Sequence, residues 1–311
     1  GDGFLESVAE TLAVGEETGI PVLVAHHKVV GQRNWGKVAQ SLAMLDSARQ
    51  RGLEAGSDVY PYLAGSTTMT ALLPPWALEG GLEAMLARLR NPSDRQRILA
   101  DWAQGIAGWD NRVGSLGYVN IIINYVSTAT NQDLVGLNLR EAAARRLRAP
   151  GEFVLDLLLE ERGQAGDIMI ACQEADLQQV MRHAATSIGS DGLHVGKRPH
   201  PRLWGTFPRI LGHYVREEKV LTLEDAVRKM TSLSARRLGL PGIGLIEEGY
   251  RADITVFDPE RVMDRATYDE PTRPPEGIAW VIVGGQVAAE GGRLTGARAG
   301  VPLLRQGAEQ A

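Results

Sequence analysis

Apolar positions along the first half of this chain alternate between short continuous runs and longer amphipathic stretches. Helical spacing from Leu5 to Glu17 stops at Gly19, and Pro21 to Ala25 then reads as a short buried strand ending at His26. Val38, Leu42 and Leu45 recur at helical spacing up to Arg51, Gly52 closes that helix, and Ser57 to Tyr60 makes a second short strand before Pro61. Pro74, Pro75 and Trp76 open a polar, helix-rich insertion over about 74–114. Beyond it, Tyr118 to Tyr125 reads as a strand, Leu139 to Arg146 and Gly151 to Arg162 as helices, and Asp167 to Ala171 as a strand. A helix from Asp176 to Arg182 then leads to Thr186 through Asp191.

Short apolar strands alternating with amphipathic helices predict an α/β fold with a parallel sheet, either doubly wound or a barrel. Both architectures collect functional residues at the C-terminal ends of strands, where His26, Tyr60 and Asp191 stand. About four such strands are legible, against the eight of a closed barrel, so half a barrel is expected to be missing. From Thr222 the character changes. Leu223, Val227, Met230 and Leu233 are expected to line one helix face, and Ala252 to Pro259, Ile278 to Val283 and Gln286 to Glu290 read as antiparallel strands. Gly284-Gly285 marks a tight hairpin. The division is therefore a partial (β/α) barrel over 1–240 and a β-domain segment with a tail over 241–311, the tail from Gly296 having no periodicity.

Composition narrows the function more than the fold. Of 311 residues, 44% are hydrophobic and 23% charged, an ordinary globular balance. A net charge of −5, with no basic stripe, argues against nucleic acid as a partner, and no apolar run approaches the roughly 20 residues needed to cross a bilayer. The single cysteine, Cys172, excludes an internal disulfide and a thiolate-rich zinc site, and fits a reducing, cytoplasmic setting. Gly1 to Phe4 carries neither an initiator Met nor a leader, and reads like the middle of a gene.

Of the six histidines, His26-His27, His194 and His200 stand in contexts that suggest a site, whereas His183 and His213 read as structural or surface residues. His26, at a strand end, is either a metal ligand or a capped loop residue. Asp191, in Ser190-Asp191-Gly192, either binds metal or moves a proton, or else caps the following loop. His200-Pro201-Arg202 leads into Trp204 to Arg209, a stretch too rich in aromatic, Pro, Gly and Arg residues for a linker. Arg202 is a candidate anchor for a substrate carboxylate through two parallel hydrogen bonds, the plainer role being a surface ion pair.

Four motifs carry a resemblance: Ala25-His26-His27-Lys28, Asp58-Val59-Tyr60-Pro61-Tyr62, Ile188 to Gly192, and His200 to Arg209. With them the chain, from about Gly1 to Gly296, resembles the N-acyl-D-amino-acid deacylases (D-aminoacylases) of the amidohydrolase superfamily. Gly244 to Asp253 looks like that superfamily's return from barrel to β-domain. The resemblance implies the C-terminal half of a TIM-like (β/α) barrel with a small β-sandwich-type domain. It also implies zinc, one or two ions, and hydrolysis of the amide of an N-acyl-D-amino acid by metal-activated water. His26 and Asp191 become metal ligands, Asp191 the catalytic proton carrier, and Lys28, Tyr60, His200 and Arg202 substrate-side residues. Tyr60 departs from members with a second metal-binding His on that strand. The superfamily's His-x-His pair and this family's bridging Cys would precede Gly1, and Cys172 does not match the latter. Two alternatives stand beside this: a ring-opening amidohydrolase of the hydantoinase or dihydroorotase type, and a fragment active only with a missing N-terminal half or through self-association.

Overall fold

The computed structural model describes residues 1–304. In chain order its strands are β1 (Val22–Val24), β2 (Ala55–Val59), β3 (Ala64–Thr68), β4 (Ile121–Tyr125), β5 (Gly166–Ile170), β6 (Thr186–Ile188), β7 (Ile254–Phe257), β8 (Ile278–Val283), β9 (Gln286–Glu290) and β10 (Arg293–Leu294). β1, β2 and β6 form one parallel sheet with β2 in the middle, Val24 opposite Ser57 and Val59 opposite Ile188. Helix Val38–Gln50 connects β1 to β2, and helix Glu174–Arg182 leads into β6. Val8, Leu42, Leu45, Val180 and Met181 from the covering helices pack with Val59 and Ile188 into one core.

Central β2 is built from small residues for a visible reason. A Cβ on Gly56 would stand 2.0 Å from the Arg237 guanidinium, which donates hydrogen bonds to the carbonyls of Ser57 (3.1 Å) and Ala185 (2.8 Å). β1, by contrast, is not the buried strand expected from its apolar run. It lies at the sheet edge, paired on one side only, and Leu23 remains 39% exposed.

The strands read at Tyr118 to Tyr125 and Asp167 to Ala171 do not extend the parallel sheet, which holds three strands rather than about four. β4 and β5 pair antiparallel with each other and with β3 in the order β3-β5-β4. An apolar run such as Ile121 to Ile123 establishes that a strand is buried but not which strand it pairs with. β3, the sequence Ala64-Gly65-Ser66-Thr67-Thr68, lacks apolar alternation and escapes the pattern altogether. The helices expected over 74–114 are present as Pro75–Leu78, Gly81–Arg90, Pro92–Gln104 and Arg112–Leu116. They pack with helix Pro150–Glu160 and this sheet around a second core that includes Leu86, Ile98, Ile121, Ile123 and Leu158. The excursion from the parallel sheet thus runs from the end of β2 to helix Glu174–Arg182.

Helix Arg202–Arg209 continues without a break into wider turns over Ile210–Glu217. Helix Leu223–Met230, capped by Thr222 accepting the Asp225 N–H at 3.2 Å, breaks at Thr231 before helix Ser232–Arg237. Its fully buried positions are Ala226 and Lys229; of the expected Leu223, Val227, Met230 and Leu233 stripe, Met230 packs partly buried against the core and Val227 is exposed. The fully buried Lys229 ammonium is satisfied by the carbonyls of His183 and Thr186, which explains how a lysine replaces an apolar residue there. Beyond, β7 to β10 form one antiparallel sheet in chain order, with Gly284 and Gly285 at positive φ making the β8–β9 turn. Residues 296–304 carry no regular element, and the rest of the expected tail lies outside the described residues.

Candidate active site

The register of the parallel sheet brings the C-terminal ends of β1, β2 and β6 to one side, and there the chain places His26, Lys28, Tyr60, Asp191 and Arg202. His26 and Asp191 both adopt positive φ, 38° and 47°, a strained conformation for non-glycine residues that turns each side chain sharply off its strand. The His26 turn is held by its backbone N–H, which donates to the Asp58 carboxylate at 2.6 Å. Asp58 therefore has a positioning role at the end of β2 that its place in the Asp58-Val59-Tyr60 motif did not disclose.

The adjacent histidines part company. His27 is buried, its Nε2 2.8 Å from the Ser41 hydroxyl and its ring 5.7 Å from Phe4, and burial lowers its pKa to about 4. It belongs to the core beneath the sheet, so the pair read as one candidate supplies one residue to the site. His194 rests 5.7 Å from Trp204 in the loop after β6, His183 lies 2.9 Å from Asp46, and His213 lies 3.2 Å from Glu217.

Lys28, Tyr60 and Arg202 form a compact group. The Lys28 ammonium donates to the Tyr60 hydroxyl and lies 4.2 Å from the ring centroid, while the Arg202 guanidinium lies 4.7 Å from the same ring. Burial lowers the Lys28 pKa to about 8, and Arg202 pushes in the same direction. Burial likewise raises the Tyr60 phenol well above its ordinary value, so it stays a neutral hydroxyl. Arg202, only 2% exposed, sets one terminal nitrogen 2.9 Å from the Asp191 carboxylate, and its Nε has no partner among the described residues. Arg202 thus keeps one buried guanidinium N–H without a partner, which suits an anionic ligand.

His200, expected on the substrate side, is engaged by the backbone through both ring nitrogens. Its Nδ1 accepts the Arg202 backbone N–H at 3.0 Å, and its Nε2 lies 3.1 Å from the Ala64 carbonyl. Both nitrogens are thus committed to backbone, and burial lowers its pKa to about 3, so the ring is neutral. Tyr62 and Tyr268 stack edge-on against it at 5.2 and 5.3 Å. Tyr268 comes from the segment before β8, where no sequence signal pointed to the site. Cys172 joins from the end of β5, close enough for its charge state to act on Lys28 and Tyr60, with burial raising its pKa to about 11.

For a metal, the donors are suitable in kind but few. Burial, reinforced by Lys28, lowers the His26 pKa and keeps the imidazole neutral, as a ligand must be, while the nearby Asp191 carboxylate opposes that shift. No group of three His, Cys, Asp or Glu side chains that could hold a metal converges among the described residues. Two donors fall short of the three protein ligands a catalytic zinc ordinarily takes.

Residues 3–289 match the amidohydrolase family, and the chain belongs to that family. Within it, the chain is similar to a D-aminoacylase from Alcaligenes xylosoxydans xylosoxydans, 36% identical over 308 residues that make up 99% of this chain and 54% of that protein. It also resembles the crystal structure of a D-aminoacylase described as defining a novel subset of amidohydrolases, with a TM-score of 0.76 and 35% identity, over 97% of this chain and 54% of the other. A third likeness is to the N-acyl-D-glutamate deacylase of Bordetella bronchiseptica, solved with zinc and a phosphonate mimic of the tetrahedral intermediate. There the TM-score is 0.73 and the identity 35%, over 93% of this chain and 52% of the other. The chain spans about half the length of the curated relatives it matches. Among the described residues no helix is long and apolar enough to cross a membrane.

Proposed function

We propose that this chain carries the carboxylate-recognition and proton-handling side of a metal-dependent N-acyl-D-amino-acid deacylase. The observation that carries the reading is the convergence of Lys28, Tyr60 and Arg202 on Asp191 at one end of the parallel sheet. The substrate's free carboxylate binds the unpartnered edge of Arg202 and the Lys28 ammonium, and the Tyr60 hydroxyl fixes its orientation. His200 holds the start of the Arg202 helix through its bond to the Arg202 N–H. Asp191 accepts a proton from the attacking water and returns it to the leaving amine. His26 and Asp191 are the residues of this chain that would hold zinc, which when bound supplies a water acidified to a pKa of about 7 and polarises the acyl carbonyl.

The same reading assigns β1, β2 and β6 to a (β/α) barrel and β7 to β10 to a small β-sandwich-type domain. The donor count supports a site completed by further polypeptide, either an N-terminal half or another copy of the chain. The test is an assay of the complete protein with zinc against N-acetyl-D-amino acids, their L enantiomers, and the cyclic ureides hydantoin and dihydroorotate. The account expects D-selective release of acetate. Ring opening without deacylation would transfer the site to the hydantoinase type.

A further inference from the structure

Arg209, the last residue of the His200 to Arg209 motif, takes no part in the chemistry assigned above, yet it holds the backbone beside Tyr60. Its Nε donates to the Pro61 carbonyl at 3.0 Å, one terminal nitrogen lies 3.4 Å from the Asp264 carboxylate, and its guanidinium lies 5.3 Å from the Tyr62 ring. Pro61 is the residue between Tyr60 and Tyr62. Arg209 therefore joins the helix that starts at Arg202 to the turn that presents Tyr60.

The other partner, Asp264, belongs to the segment between β7 and β8, and that segment is seated directly on the helix. Gly205, Arg209, Gly212 and Arg216 all meet the segment from Pro259 to Asp264. A Cβ on Gly205 would meet the Tyr62 hydroxyl at 2.3 Å and the Asp264 Cβ at 3.2 Å, and one on Gly212 would meet the Val262 carbonyl oxygen at 2.5 Å. The two glycines leave the room in which Val262 to Asp264 lies. Arg216 secures the same segment by donating to the carbonyls of Pro259 (3.1 Å) and Val262 (2.7 Å). Asp264 is nearly inaccessible, its side chain 6% exposed. Asp264 is the buried partner and Arg209 the part-exposed one, so loss of the arginine would leave the Asp264 carboxylate without its counter-charge.

We infer that Asp264, acting through Arg209, is a positioning residue that sets Tyr60 and Arg202 at the spacing a substrate carboxylate requires. This rests on the carboxylate reading of the site given above. The segment from β7 to β8 thereby couples the C-terminal sheet to substrate recognition, and the geometry enters binding of the carboxylate rather than proton transfer at Asp191.

The experiment compares the complete protein with its Asp264→Asn, Arg209→Lys and Arg216→Gln variants. KM and kcat are measured for an N-acetyl-D-amino acid and for the same compound with its carboxylate capped as a carboxamide, with circular dichroism and thermal midpoints as a check on folding. Asp264→Asn and Arg209→Lys are expected to raise KM for the carboxylate substrate about tenfold, leave kcat within twofold and leave the carboxamide unchanged. Arg216→Gln, which loosens the same segment without touching Pro61, lowers the thermal midpoint and leaves the preference for the carboxylate intact. Equal effects of Asp264→Asn on both compounds, a fall in kcat alone, or no effect would each overturn the positioning role. A wild-type protein indifferent to the carboxylate would instead overturn the reading on which it rests, so the two failures are distinct.

Discussion

Arg202 and Asp191 face each other at 2.9 Å, the arginine almost fully buried and the aspartate at the open side with 44% of its side chain exposed. The pair places the proposed proton carrier beside the proposed carboxylate anchor. It also supplies the buried guanidinium with a counter-charge that it would otherwise lack.

Asp191→Asn keeps the shape of the side chain and removes its proton affinity. In the complete protein turnover is expected to fall at least about 100-fold, the lower end of what a positioned general base contributes. The circular dichroism spectrum should be unchanged. Retention of more than about a tenth of the wild-type rate would contradict the proton-carrier role.

Asp167 gives a prediction about stability. It is fully buried in β5 with neither carboxylate oxygen hydrogen-bonded, and burial raises its pKa from 3.8 to about 7. The folded protein thus keeps this proton up to about pH 7, while the unfolded chain loses it near pH 4. Between those values the unfolded state binds fewer protons, so this group's contribution to stability falls as pH rises, at up to roughly 1.4 kcal/mol per pH unit. His27 and His200, whose pKa values are lowered to about 4 and about 3, act in the opposite sense as pH rises toward 6.5. The quantity to measure is therefore the difference between wild type and Asp167→Asn in urea unfolding at pH 5 and pH 8. The variant is expected to gain on the wild type by more at pH 8. An equal difference at both values would show that Asp167 is not held protonated.

The donor count predicts how the 311-residue chain behaves when purified alone. With His26 and Asp191 as its proposed zinc donors and β1 and β6 as sheet edges, it is expected to retain less than one zinc per chain and to self-associate. Light scattering after size exclusion, with metal analysis, checks both. A monomer with stoichiometric zinc and turnover of about 1 per second or faster would show that the chain completes its own site.

How much of this was legible beforehand depended on whether a signal was local. His26 follows the apolar run Val22 to Ala25, and the end of that strand can be read from the run itself, whereas Tyr60 and Asp191 follow strands of mostly small and polar residues. The pairing of β4 and β5 with β3 was not legible, because pairing is decided by distant chain and β3 has no apolar alternation. The roles of Asp58, Arg209 and Tyr268 escaped for the same reason, since each acts on a residue far away in sequence. The motif places His200 near the site, but its two backbone partners appear only in three dimensions.

The central claim is that Lys28, Tyr60 and Arg202 hold a substrate carboxylate beside Asp191. Its most direct test is the affinity of the complete protein for an N-acetyl-D-amino acid and for its carboxamide, before and after Arg202→Lys. Lysine keeps the charge but cannot offer the planar two-point contact, so the carboxylate is expected to lose about tenfold or more in KM while the carboxamide changes little. Equal losses for the two compounds would contradict the claim and leave Arg202 as a structural partner of Asp191.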